Sequence, residues 1–91
     1  MKVIAEYTLW PPQTTVNLPL GADVLSVQQR YADLILICEI EQGANDLENR
    51  EFIVVDEYGS IPERELQLID TVMMDGGSKY CVVYEILDSN V

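Results

Sequence analysis

The chain has 91 residues, enough for one domain spanning residues 1–91 and too few for a second. Hydrophobic residues make up 48% of it, which excludes wholesale disorder, and no apolar run approaches the ~18 residues that span a bilayer. Sixteen Asp and Glu against five Lys and Arg give a formal charge of −11, a surface that repels nucleic-acid phosphates and anionic membranes and attracts basic proteins.

The start, Met1-Lys2-Val3-Ile4-Ala5-Glu6, lacks the apolar core of a signal peptide, so the expected location is cytoplasmic. From there the apolar pattern is continuous or has period two and is rich in Val, Ile and Tyr, which predicts strands. The first covers residues 2–9 and ends at Trp10-Pro11-Pro12, because proline cannot donate to a ladder. A second, 14–18, stops at Pro19, and Leu20-Gly21-Ala22-Asp23 reads as a turn. The third covers 24–29. After the turn Arg30-Tyr31-Ala32-Asp33 comes the most apolar stretch, 34–40, whose two faces are both apolar, as in a central strand covered on both sides. Residues 42–49 form the longest polar loop, and 51–55 the fifth strand. A short helical turn is expected near Pro62-Glu63-Arg64-Glu65, with proline in its first position. Strands at 66–72 and 80–86 flank Asp75-Gly76-Gly77, whose glycines supply the positive φ of a tight hairpin turn. The expected fold is all-β with that one short helix, a small antiparallel sandwich or partly open barrel of about seven strands. The expected core is Leu36, Cys38, Phe52, Val54, Val72, Val82 and Tyr84.

Parts for chemistry are scarce. The chain contains no histidine, which removes the usual general base, the usual metal ligand and every Ser-His or Cys-His nucleophile system. Cys38 and Cys81 sit in apolar runs without a Cys-x-x-Cys context. They read as buried free thiols, and a disulfide between them requires neighbouring strands, which spacing does not reveal. The glycines form no phosphate loop. Paired carboxylates could serve glycoside hydrolysis, but a domain of this size has little material for a sugar groove. The acidic segment Asn45-Asp46-Leu47-Glu48-Asn49-Arg50-Glu51 lacks the spacing and central glycine of an EF-hand loop and reads as a solvated loop. The expectation is a protein that is not an enzyme and carries no cofactor or metal.

Nine acids fall between Glu39 and Glu65 against two cations, Arg50 and Arg64. Such a band can occupy a basic cleft on a partner. The plainer alternative is the solvated polar face of a sheet. The candidate interaction residues are Glu39, Glu41, Asp46, Glu48, Glu51, Asp56 and Glu57, joined by Trp10 and Tyr31, the two aromatic residues placed for exposure. Glu51 joins Glu39 and Glu41 only where their two strands pair in the right register.

The segments Met1-Lys2-Val3-Ile4 with Tyr7, Val16-Asn17-Leu18-Pro19 with Gly21-Ala22, and Val24-Leu25-Ser26-Val27-Gln28 carry a resemblance. So do Arg50-Glu51-Phe52, Val54-Val55, Gly59, Ile61-Pro62, Ile69, Thr71-Val72 and Val83-Tyr84-Glu85. In their order and spacing the chain resembles a family of small tailed-phage proteins with a domain of unknown function. Cys81-Val82 stand where such proteins often have a tryptophan-histidine pair. The resemblance implies phage origin, a compact β fold and no established activity. The function expected is an accessory protein in the host cytoplasm that binds a basic host or phage protein, as an inhibitor of a bacterial defence protein would. It makes no direct contact with nucleic acid or membrane. The alternatives are an assembly protein that forms a homo-oligomer through exposed strand edges, and a protein that sequesters a small ligand at a subunit interface.

Overall fold

The structure, a computed structural model, describes residues 1–88. Seven strands follow one another: β1 (Lys2–Leu9), β2 (Gln13–Pro19), β3 (Asp23–Arg30), β4 (Asp33–Glu41), β5 (Leu47–Asp56), β6 (Leu66–Met74) and β7 (Lys79–Ile86). They form two antiparallel sheets, one ordered β1-β4-β3 and the other β2-β5-β7-β6. The molecule measures 39 × 30 × 16 Å, and the short dimension is that of two sheets packed ~10 Å apart. The fold is a small sandwich, and the sheets do not close into a barrel.

Alternation along each strand fills the space between the sheets. Leu9 on β1, Leu34, Leu36 and Cys38 on β4, and Val27 on β3 meet Val16 and Leu18 on β2, Phe52 on β5, Cys81 and Val83 on β7, and Val72 on β6. One long side of the sandwich is drawn together. Asp70, beside a bulge in β6, turns its carboxylate inward to accept the Val27 N–H of β3 at 3.0 Å, and Gln29 exchanges hydrogen bonds with Asp75. On the other side β1 and β2 are linked by the turn at Trp10-Pro11-Pro12.

The expected core is met at Leu36, Cys38, Phe52 and Val72, with Val54 partly buried against it. Val82 and Tyr84 differ. Val83 pairs with Val54, so Cys81, Val83 and Glu85 point inward while Val82 and Tyr84 stand half-buried on the outer face. The reason lies in the route from β5 to β6. These strands are parallel with β7 between them, so residues 57–65 must run back across the outer face of the sheet. This strap covers outward-facing apolar residues, and Ile53 and Ile86 on that face are buried. Both parities of β7 are therefore apolar.

The helical turn expected at 62–65 does not form. That segment belongs to the strap, with bends at Glu63 and Arg64, and the one helical turn among the described residues is the 3-10 turn Asp75–Gly77. Strand β5 also begins earlier than expected, because Leu47, Glu48 and Asn49 pair with Pro19, Leu18 and Asn17. Strand β4 is central as expected, but no layer among the described residues covers its second face. Ile35 is sheltered there by its neighbours in the sheet, including the Arg30–Glu6 ion pair that reaches across β4.

Candidate interaction site

Four connections meet at one end of the sandwich: the β1–β2 turn, the β3–β4 turn, the start of the strap and the β6–β7 turn. Three of them present an exposed aromatic residue. Trp10 is 63% exposed, Tyr31 95% and Tyr58 96%. Thr14 fixes the backbone at Trp10: its hydroxyl donates to the Trp10 carbonyl at 2.7 Å and accepts the Trp10 N–H at 2.6 Å. Tyr31 and Tyr58 have φ of +56° and +63°. This left-handed region suits glycine and asparagine, and a residue with a Cβ pays roughly 1–2 kcal/mol to occupy it. Asp33, Asp56 and Glu57 lie at the same end. Tyr58 was not among the sequence candidates. The signal was present in Tyr58-Gly59, an aromatic at a turn just after a strand.

The acidic band is divided by the fold. Strands β4 and β5 lie in different sheets, so the register that would join Glu51 to Glu39 and Glu41 does not exist. Glu39 and Glu41 stand on the outer face of the β1-β4-β3 sheet, where Glu39 lies 3.6 Å from Lys2 and Glu41 2.7 Å from the N-terminal ammonium. The ammonium holds the Glu41 carboxyl below its ordinary pKa. Glu51 faces out of the opposite sheet and accepts from Gln13 at 3.0 Å. Glu48 accepts the Gly21 N–H at 3.0 Å, while Asp46 is exposed in the loop before β5 and its carbonyl accepts the Leu20 N–H. Of this band, Asp56 and Glu57 share the end that carries Trp10, Tyr31 and Asp33.

Sequence reading missed the principal charged contact. Arg50 and Glu85 both point between the sheets at the opposite end, joined by two hydrogen bonds of 2.7 and 2.8 Å. The third donor of Arg50 reaches the Ala22 carbonyl at 2.6 Å, so one guanidinium ties β5, β7 and the entrance to β3 together. Glu85 is 7% exposed and Arg50 is held in its charged form, its pKa raised chiefly by the Glu85 hydrogen bonds. All partners are protein groups, so the pair reads as a structural brace.

Among the described residues no cluster of His, Cys, Asp and Glu could hold a metal ion. Cys38 and Cys81 are free, buried and in different sheets, and burial raises both thiol pKa values above 9.0. A shallow groove of about 300 Å³ lies under the strap, lined by Pro12, Gln13, Ile53, Val55, Ser60 and Pro62 among others. No helix among the described residues is long and apolar enough to cross a membrane.

Fold and surface together define a small two-sheet sandwich whose exposed aromatic residues cluster at one end. The chain belongs to the family of the domain of unknown function DUF7352, which it matches over residues 1–90. No curated protein and no solved structure matches it significantly.

Proposed function

We propose that this protein is a phage-encoded accessory protein that works in the host cytoplasm by binding a basic protein, a host defence protein being the target in view. The binding end is formed by Trp10, Tyr31 and Tyr58, with Asp33, Asp56 and Glu57 around them. One observation carries this reading: Tyr31 and Tyr58 occupy left-handed backbone positions while almost fully exposed. The fold gains nothing from either ring, since neither packs, and each residue costs conformational energy that asparagine would lower. Departures from local preference with no return in packing are expected where a surface serves binding. Large aromatic side chains are also the residues that dominate protein interfaces.

The test uses the chain as bait in lysate of a bacterial host, followed by binding measurements on each purified candidate. The Trp10→Ala, Tyr31→Asn and Tyr58→Asn variants keep the fold. A true partner binds each variant about thirtyfold more weakly, the ~2 kcal/mol of a hot-spot truncation. A purified partner that binds all three variants as tightly as the original chain moves the site elsewhere and overturns the reading.

A further inference from the structure

Sheet edges differ in how well they are guarded. The β3 edge is guarded by β6, whose Asp70 carboxylate accepts the Val27 N–H. Strand β1 pairs with β4 on one side, and among the described residues no strand pairs with the other. The phase of its ladder is fixed at the start, where the Gln42 N–H donates to the Met1 carbonyl at 2.8 Å. In an antiparallel pair, bonded residues alternate. Met1, Val3, Ala5 and Tyr7 therefore bond to β4, and Lys2, Ile4 and Glu6 offer their N–H and C=O groups to the open edge. The side chains of the same three residues stand on the outer face, with Ile4 61% exposed.

We propose that this edge pairs with the β1 edge of a second copy, antiparallel and centred on Ile4. In that register Lys2 faces the second copy's Glu6, Ile4 faces Ile4, and Glu6 faces the second copy's Lys2. Every backbone group that the three residues offer finds a partner. The two sheets then run on into one, related by a twofold axis through the Ile4 pair. Neighbouring registers are worse. Centring on Ala5 sets Ile4 against Glu6 and Lys2 against Thr8, centring on Lys2 opposes two ammonium groups, and centring on Glu6 opposes two carboxylates. Charges on an edge strand ordinarily deter pairing. Here their opposite signs, placed symmetrically about Ile4, deter other strands and admit a copy of this one. Glu6 already holds Arg30 through both oxygens, at 2.7 and 2.9 Å, and Lys2 lies 3.6 Å from Glu39, so each cross-copy pair extends an ion pair of the outer face.

The test measures the molar mass of the intact chain in solution by light scattering at micromolar concentrations and above. The expected mass is twice the 10.3 kDa of one chain. Ile4→Lys opposes two ammonium groups at the axis and yields a monomer with an unchanged circular dichroism spectrum. Ile4→Cys, oxidised, forms a disulfide-linked dimer, since the Cα separation of a bonded antiparallel pair, ~5.5 Å, lies within the reach of a disulfide. Glu6→Cys does not, because the two substituted positions lie several residues apart in this register. A monomeric intact chain, a dimer that survives Ile4→Lys, or cross-linking through Glu6→Cys in place of Ile4→Cys each overturns the proposal.

Discussion

Arg50 and Glu85 show how much one pair of side chains can decide in a domain this small. Both are largely removed from water, and their mutual hydrogen bonds, with the Ala22 carbonyl, satisfy charges that would otherwise be costly to bury. Glu85→Ala strands the guanidinium and should cost about 3–5 kcal/mol, a large part of the ~5–15 kcal/mol available to a domain. The double variant Arg50→Met/Glu85→Leu removes both charges and should unfold close to the original chain in urea. If Glu85→Ala and the original chain share a midpoint, the pair is no brace. The thiols make a second prediction. Their pKa values are raised by burial, so the stability that their protonated state contributes is present below pH 9.0 and is lost as pH rises past it, where the unfolded chain ionises first. The unfolding midpoint should fall above that pH. At pH 8 a charged disulfide reagent should modify Cys38 and Cys81 only as the chain unfolds, and fast stoichiometric labelling of the folded chain would contradict their burial. Glu6 and Glu41 act in the opposite direction. Arg30 and the N-terminal ammonium lower their pKa values, so their contribution is present above 4.5 and fades as pH falls.

At the scale of elements, the strap explains both what the sequence disclosed and what it hid. Seven strands and their turns were legible because Pro11-Pro12, Pro19 and the Asp75-Gly76-Gly77 turn interrupt apolar runs at places where a ladder cannot continue. Which face of β7 points inward was not legible, because Cys81-Val82-Val83-Tyr84 is apolar on both parities and the strap that buries the second face is distant in sequence. Pro62-Glu63-Arg64-Glu65 has the local preference of a helix start, yet the chain must span the sheet there and bends once, the Arg64 N–H donating to the Pro62 carbonyl, without winding into a helix. Among the site residues, exposure at Trp10 and Tyr31 could be read from their turns. The joining of the acids could not, since it depended on which sheet each strand enters. Gly59 is the strap's tightest point. A Cβ there would lie 2.8 Å from the Asp56 carbonyl oxygen and 3.0 Å from Val55 Cγ1, and the Gly59 N–H already donates to that carbonyl at 2.7 Å. Gly59→Ala should lift the strap and destabilise the chain by ~1–3 kcal/mol. It should also speed amide exchange at position 59 and spare the β1–β4 ladder, where equal exchange across the whole chain would mean that the strap is not a separable layer.

At the scale of the whole molecule the question is what a charge of −11 does when it is spread over every face. Like charges at this density oppose non-specific association, and that alone accounts for acids such as Glu39 and Glu41, which pair with cations of their own sheet. Acids at the aromatic end would do something further. Charges at the rim of an interface chiefly steer the approach of a partner, so they set the on-rate and its dependence on salt. Two sets of substitutions separate these roles. Asp33→Asn/Asp56→Asn/Glu57→Gln neutralises the aromatic end, and Glu39→Gln/Glu41→Gln removes a smaller amount of charge from the outer face of the β1-β4-β3 sheet, toward its opposite end. If charge acts only through the total, both sets slow association with a basic partner in proportion to the charge removed. If the aromatic end is the site, the first set slows association well beyond that proportion and flattens its dependence on ionic strength, while the second has little effect beyond the Debye length of ~8 Å at physiological salt. Dissociation, governed by Trp10, Tyr31 and Tyr58, should change little in either. Association rates at two salt concentrations decide the matter, and a larger effect from Glu39 and Glu41 would place the docking face on the β1-β4-β3 sheet.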